Sequence, residues 1–172
     1  AGREAGDFEG LFFNDSDVYK WLEAVGWNDA ISDAPALQVI TKSVINDIVL
    51  AQRSDGYLNS YFTKSRANER WTNFDLHEMY CAGHFFQAAV ALHRTTGDTV
   101  ALEAACRMAD HIDATFGPVD DSARKRAGHG PFQHLFLFFQ APPEVHRALF
   151  QRTSEAYEPV GQGLGFGAVV GE

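Results

Sequence analysis

Four segments of the 172-residue chain repeat apolar side chains at intervals of three and four residues, which is the period of an amphipathic helix. The first follows the polar run at 14–17, whose short side chains are typical helix caps, and ends near Ile31. The second begins at Pro35, which suits a first helical turn, and ends near Ala51. The third, about 76–96, and the fourth, about 98–116, each end before a glycine. The sequence therefore predicts an all-α chain.

Each predicted helix has one apolar face, and these faces should form the core. The core candidates, in chain order, are Val18, Trp21, Leu22 and Val25; Leu37, Ile40, Val44, Ile48 and Ala51; Phe85, Phe86, Val90 and Leu92; Leu102, Cys106, Ala109 and Ile112. Two helical hairpins in succession are what a toroid of helix pairs would supply.

A long aromatic loop is predicted between the second and third helices, over 53–75. The run Ser54-Asp55-Gly56 indicates a tight turn, because glycine tolerates a positive φ. The loop then mixes aromatic rings with asparagines: Tyr57, Tyr61, Phe62 and Trp71 with Asn59, Asn68 and Asn73. Such a mixture fits a surface that binds a small ligand, and packing of the loop onto its own helices explains it equally well.

The character of the chain changes after Gly130. Residues 120–130 are polar and include the basic run Arg124-Lys125-Arg126, which we interpret as a solvated loop. Residues 131–172 show no sustained period and are expected to form an irregular tail. We therefore divide the chain into a helical domain, 1–130, and a divergent tail, 131–172, for which an altered reading frame is one hypothesis.

The charge of the chain restricts its partners. Its net charge of −9 argues against nucleic acid, since binders of the phosphate backbone present basic surfaces. No apolar stretch is long enough to cross a bilayer, so no membrane partner is expected.

The two cysteines, Cys81 and Cys106, show no CxxC spacing, and we expect neither a disulfide nor a zinc knuckle. A cytoplasmic location follows as the default expectation.

Polar clusters near two predicted helix starts are the candidates for chemistry. His77, Cys81 and His84 would share one helix face, where a metal site, a sugar-facing cluster and a structural role are all open interpretations. Asp15 and Asp17 resemble paired carboxylates of glycosidases, but helix capping is the simpler explanation; Asp17 can also reach a sugar hydroxyl.

Several blocks of the sequence resemble glycoside hydrolase family 127, the β-L-arabinofuranosidase type. They occur in order between about residues 7 and 130, where the chain reads DSDVYKWLEA from Asp15, QRSDGYLNSYF from Gln52, RWTN from Arg70 and HEMYCAGH from His77. The block ADHID from Ala109, followed by FGP from Phe116, continues the resemblance.

The resemblance implies an (α/α)6 barrel, twelve helices in two rings, followed by β-sandwich domains. About four helices in two hairpins would then be a partial barrel. Helices without their neighbours leave apolar flanks uncovered, so self-association through those flanks is expected.

The resemblance also implies a retaining mechanism with a cysteine nucleophile, a zinc ion held by cysteines and a glutamate, and a glutamic acid that protonates the leaving oxygen. Those residues lie downstream in the family, so no catalytic residue, no metal ligand and no cofactor are expected in this chain, while zinc is expected in a full-length enzyme. Cys81 belongs to a different block and is not expected to be the nucleophile.

The implied contribution of this chain is part of the pocket for an arabinofuranoside glycan. His77 matches a family histidine that contacts the sugar, and His134 matches a second one weakly, because Gln133 stands where the family has glycine. With Asp17, these are the predicted substrate-binding residues. A fragment of a glycoside hydrolase that is inactive by itself is thus the leading interpretation. A non-enzymatic helical binding or interaction module is the alternative, and a zinc-dependent helical protein is the third.

Overall fold

The structure, a computed structural model, describes residues 6–116, and its main elements are four α-helices. They are α1 (Asp15–Asp29), α2 (Pro35–Ala51), α3 (Glu78–Thr96) and α4 (Val100–Phe116). Two short 3-10 helices, Lys64–Glu69 and Phe74–Leu76, lie in the loop between α2 and α3. The four predicted helices and the all-α class are confirmed, with boundaries that differ by a few residues.

Helix α3 forms the centre of the described part of the chain. It packs against both α1 and α4, and its contact with α1 is the most extensive between any two helices. The two helices approach closely where Gly26 of α1 lies against Ala91 and the backbone of Leu92, since a Cβ at residue 26 would fall 3.1 Å from the Leu92 nitrogen. The larger rings of Tyr19 and Phe85 also join these two helices, with their planes tilted at 44° and their centroids 5.0 Å apart.

The helices contact one another in an alternating pattern. α1 lies mainly against α3 rather than against its sequence neighbour α2, while α2 lies mainly against α4. Helix α4 also packs against α3, and this contact joins the α1–α3 pair to the α2–α4 pair. Helix α1 contacts its sequence neighbour α2 much less than it contacts α3.

The predicted inner face of α2 is displaced by one residue. Thr41 and Ile45 are the buried residues of this helix, whereas Ile40 is 50% exposed and Ala51 is also exposed. The helix carries apolar residues around most of its circumference, so the period alone does not determine which face is inside. Val44, Ile48 and Val49 pack at the edge of the core, as the contact with α4 requires.

The inner face of α1 is likewise shifted. Tyr19, Leu22 and Val25 are buried, whereas Val18, a predicted core residue, is 42% exposed. Complete burial of a leucine such as Leu22 stabilises the fold by roughly 1.5–3 kcal/mol.

The predicted cores of α3 and α4 are confirmed, since all their candidate residues lie in the apolar cluster or pack against it. No helix between residues 6 and 116 is long and apolar enough to span a bilayer.

Candidate functional site

The loop between α2 and α3 is anchored at its first turn. The Arg53 N–H donates to the Tyr57 carbonyl (2.9 Å) and the Gly56 N–H donates to the Arg53 carbonyl (2.9 Å), so the predicted turn is confirmed. The Gln52 side chain donates to the carbonyls of Gly56 and Ala104, each at 2.8 Å. This amide therefore ties the turn to α4.

Packing accounts for much of the aromatic loop. Tyr57 and Phe62 are completely buried, and Asn59 is 7% exposed. The Asn59 carboxamide oxygen accepts hydrogen bonds from the backbone N–H groups of Tyr61 (2.9 Å) and Phe62 (3.1 Å), so it shapes the loop from within. For these three residues the packing interpretation is the one the geometry supports, while Tyr61 and Trp71 remain half-buried and reach the surface.

Glu78, the first residue of α3, is a buried carboxylate with 3% exposure. One oxygen accepts a hydrogen bond from the Tyr57 hydroxyl, and the other accepts one from the Trp71 backbone N–H at 2.6 Å. Burial raises the pKa of Glu78 above its ordinary value, against the opposing effect of these two donors and of the Arg70 guanidinium. The same burial, with the neighbouring carboxylate, raises the pKa of Tyr57, so the phenol is the proton donor of the pair.

His77 precedes α3 as its N-cap residue and has a left-handed backbone, with φ 62° and ψ 21°. The prediction that His77 lies within the helix is wrong, because α3 begins one residue later. Its half-buried ring lies among aromatic rings, with centroid distances of 5.3 Å to Phe12, 5.8 Å to Phe13 and 5.5 Å to Tyr80. His77 is therefore neither sealed within the helix packing nor isolated on the surface.

We define the His77 cluster as His77 together with Phe12, Phe13, Tyr61 and Tyr80. The N-terminal segment, the long loop and the start of α3 each supply part of it. Phe12 joins Tyr61 edge to face at 6.3 Å, and the Arg66 guanidinium lies 4.4 Å from the Tyr61 ring centre. Such a mixture of ring faces and a few polar groups is typical of small-ligand sites.

Asp17 lies at the margin of this cluster. Its exposed carboxylate is 3.6 Å from the Lys20 ammonium, and that ammonium lies 5.1 Å from the centre of the Tyr80 ring. Two successive contacts thus link Asp17 to a neighbour of His77. The prediction that the run at 14–17 caps α1 is wrong, because the N-cap residue, Asn14, makes no capping hydrogen bond through its side chain.

Asp15 faces the opposite way from Asp17 and joins α1 to the loop. Its carboxylate accepts hydrogen bonds from the Ser60 N–H (2.7 Å) and from the Ser60 hydroxyl. Burial raises the pKa of Asp15, although both hydrogen bonds act to lower it. The two aspartates therefore do not form a pair of carboxylates across one site.

Sequence reasoning missed the structural roles of Asp15 and Glu78, although the helical period contains the signal. Asp15 lies four residues before the buried Tyr19, and Glu78 lies three and four residues before the buried Cys81 and Ala82. Each carboxylate therefore occupies the buried face of its helix, where a polar partner is needed.

The interpretation of His77, Cys81 and His84 as a metal site is wrong for the part of the chain that the structure describes. No group of three histidine, cysteine, aspartate or glutamate side chains there could hold an ion. Cys81 is turned inward, where its thiol contacts the Phe13 carbonyl at 3.7 Å, and burial raises its pKa to about 12. His134 and the basic run at 124–126 lie outside the described residues.

Comparison with known proteins decides the family. The model of the β-L-arabinofuranosidase GH127 catalytic domain matches residues 1–135. The chain belongs to glycoside hydrolase family 127. It is 38% identical over 167 residues to a non-reducing end β-L-arabinofuranosidase of Bifidobacterium longum subsp. longum, an alignment that covers 94% of this chain and 23% of the relative.

Solved structures of family 127 members share the fold. A β-L-arabinofuranosidase from Geobacillus stearothermophilus T6 matches with a TM-score of 0.71 and 35% identity, over 88% of this chain and 24% of that one. A second family 127 enzyme, a β-arabinofuranosidase, matches with a TM-score of 0.65 at 24% identity, over 86% of this chain and 25% of that one, which shows the fold alone. The predicted partial (α/α)6 barrel is confirmed.

The family 127 chain described here spans about a quarter of the length of these relatives. The family model ends at residue 135, while the alignment to the bifidobacterial enzyme takes in 94% of the chain and so extends past residue 130, where we expected the resemblance to stop. The division into 1–130 and 131–172 stays a prediction.

Proposed function

We propose that this family 127 chain forms one wall of a pocket for β-linked L-arabinofuranose. The observation that carries the proposal is the setting of His77, a half-buried imidazole among the rings of Phe12, Phe13 and Tyr80. An imidazole nitrogen can donate a hydrogen bond to a sugar hydroxyl or accept one from it, and ring faces can cover the C–H groups of the same sugar. The names of the curated and solved relatives support this choice of sugar.

Two further residues complete the proposed sugar contacts. Asp17 is exposed at the edge of the His77 cluster, where its carboxylate can accept a hydrogen bond from a hydroxyl of the glycan. His134 is proposed as a second imidazole contact on the strength of the sequence alone.

We also propose that this chain by itself does not cleave glycosides. A thiol nucleophile reacts as the thiolate, and the pKa of about 12 leaves Cys81 protonated at neutral pH. Cys106 is buried in the core as well. No group of three histidine, cysteine, aspartate or glutamate side chains at 6–116 could hold a zinc ion, so these residues alone would not form the zinc site of a full-length enzyme.

Titration of the full chain with L-arabinose, followed by NMR, tests the proposed pocket. We expect weak saturable binding that His77→Ala abolishes. His93→Ala is the matched control, because His93 lies at the other end of α3 and bonds to the Asp98 carbonyl there. Wild-type chain that shows no saturable shift, or equal losses in both variants, would contradict the proposal.

Incubation with an aryl β-L-arabinofuranoside tests the second proposal. We expect no release of the aryl alcohol above the rate in buffer. Turnover by the purified chain that survives Cys81→Ser would show that other groups here perform catalysis. Turnover abolished by Cys81→Ser would assign the nucleophile to this cysteine instead.

A further inference from the structure

The backbone just before α3 has an unusual conformation at two places. Trp71 and His77 both have positive φ, 59° and 62°, although neither is glycine. A left-handed conformation is unfavourable for a residue with a Cβ, and it persists only where the surroundings hold it. The short 3-10 helix Phe74–Leu76 lies between these two residues. Within the segment the His77 imidazole Nδ1 lies 2.5 Å from the Asp75 carbonyl, so the direction of the ring depends on how this short stretch of backbone is held.

Glu78 holds this stretch of backbone at its two ends. Its carboxylate accepts the Trp71 N–H at 2.6 Å, so the segment from Trp71 to Glu78 closes into a ring that contains His77. The second carboxylate oxygen accepts the Tyr57 hydroxyl. One buried side chain thus joins the two ends of the segment to each other and to Tyr57.

Tyr57, the partner of Glu78, is held in place by packing on several sides. Its ring is completely buried and lies beneath the Arg70 guanidinium, 4.0 Å from the ring centre. Trp71 packs edge to face on the same ring at 5.6 Å, and His111 of α4 packs on it at 5.3 Å. Through these contacts Tyr57 belongs to the core between the loop and α4.

We propose that Glu78 is a positioning residue that, through Tyr57 and the Trp71 backbone, holds the His77 imidazole in the orientation that binds the sugar. With 3% exposure, the Glu78 side chain has no surface with which to contact a ligand itself. Its effect on binding is exerted through the neighbouring residue. This inference rests on the proposed sugar pocket.

Two variants of the full chain test the proposal. Tyr57→Phe keeps the buried ring and removes one hydroxyl, while Glu78→Gln keeps the side-chain size but offers one acceptor oxygen instead of two. Tyr19→Phe is the matched control, since Tyr19 is also a buried tyrosine but belongs to α1 and packs on Phe85. Far-UV circular dichroism reports the helical fold of each variant.

The first measurement is the set of nuclear Overhauser effects between the His77 ring protons and the rings of Phe12 and Phe13, whose centroids lie 5.3 and 5.8 Å away. The second is the Kd for L-arabinose. We expect both test variants to weaken these Overhauser effects and to raise Kd by about tenfold, a change of about 1.4 kcal/mol, with helicity unchanged. Tyr19→Phe should change neither.

The two measurements separate this proposal from the pocket itself. If the wild-type chain binds no arabinose, the pocket fails, but the Overhauser effects still report whether Glu78 positions His77. Test variants that keep the wild-type Overhauser effects would overturn the positioning role. A uniform loss of helicity without any effect specific to His77 would overturn it as well, because Glu78 would then serve only the stability of the fold.

Discussion

Gly56 lies directly against the backbone of Arg107 in α4. A Cβ atom at residue 56 would fall 2.2 Å from the Arg107 carbonyl oxygen and 2.9 Å from its carbonyl carbon. The neighbouring atoms are helix backbone, which cannot move aside as a flexible side chain can. The first turn of the long loop therefore fits against α4 only if residue 56 has no side chain.

Gly56→Ala should destabilise the chain by about 3 kcal/mol or more, since it adds this clash to the strain of a positive φ of 86°. Gly97→Ala is the matched control. Gly97 also has a positive φ, 75°, but a Cβ there would meet nothing within 4 Å, so about 1 kcal/mol is expected. Urea unfolding of both variants measures the difference, and equal losses would contradict the close contact with α4.

The buried carboxylate of Glu78 should make stability depend on pH. Its pKa is raised by burial above the ordinary value of 4.5, so the folded chain binds this proton more tightly than the unfolded chain does. The contribution of Glu78 to the free energy of unfolding is therefore full below pH 4.5 and is lost as pH rises through the raised pKa.

Comparison of wild type with Glu78→Gln isolates this effect. The difference in the free energy of unfolding, wild type minus variant, should decrease as pH rises from about 4 to about 8. Glu103→Gln, at an exposed position in the first turn of α4, controls for the removal of one charge. A difference that increases with pH would show that the folded state favours the ionised carboxylate instead.

The helices could be predicted from the sequence because the spacing of their apolar residues agrees with the residues that mark their ends. Pro35 begins α2 and Gly97 follows α3, so local chemistry marks these ends. Which face of α2 is buried could not be predicted in the same way. Its outward Val39 and Ile40 are as apolar as its inward Ile45, and only the packing partner determines which face is covered.

The candidate site could be predicted only where a family motif marks it. The HEMY block singled out His77, but the residues that fix its surroundings come from distant segments. Tyr57 is 21 positions away from its partner Glu78, and Ser60 is 45 positions away from Asp15. Such contacts depend on how the helices assemble, which local patterns do not specify.

Cys81 should be inert towards thiol reagents in the folded chain. Its side chain is 1% exposed and its pKa is raised to about 12, so very little thiolate is accessible at neutral pH. We expect iodoacetamide to label Cys81 at least about a hundredfold faster in urea than in buffer. Mass spectrometry of the labelled peptides measures the rates.

An exposed thiol provides the control for this measurement. Thr99→Cys places a cysteine in the exposed turn between α3 and α4, where it should react quickly in both conditions. Rapid labelling of Cys81 in buffer, at a rate near that of the new thiol, would show that its environment is open and that its acidity is ordinary.

The outward face of α2 should cause the chain to associate. Val39 and Leu50 are 71% and 74% exposed, and their separation of eleven positions places both on one side of the helix, about three turns apart. This side is opposite the buried Thr41 and Ile45, and residues 6–116 leave it exposed. Exposed apolar surface of this kind favours contact with a second copy.

Leu50→Glu should therefore weaken self-association by about tenfold in Kd, because a carboxylate would lose its hydration in the contact. Ala24→Glu adds the same charge at an exposed position of α1 and should leave association unchanged. Sedimentation over a range of concentrations measures Kd for the three chains. A wild-type chain that stays monomeric throughout, or an equal response to both substitutions, would mean that this face of α2 does not mediate contact between copies.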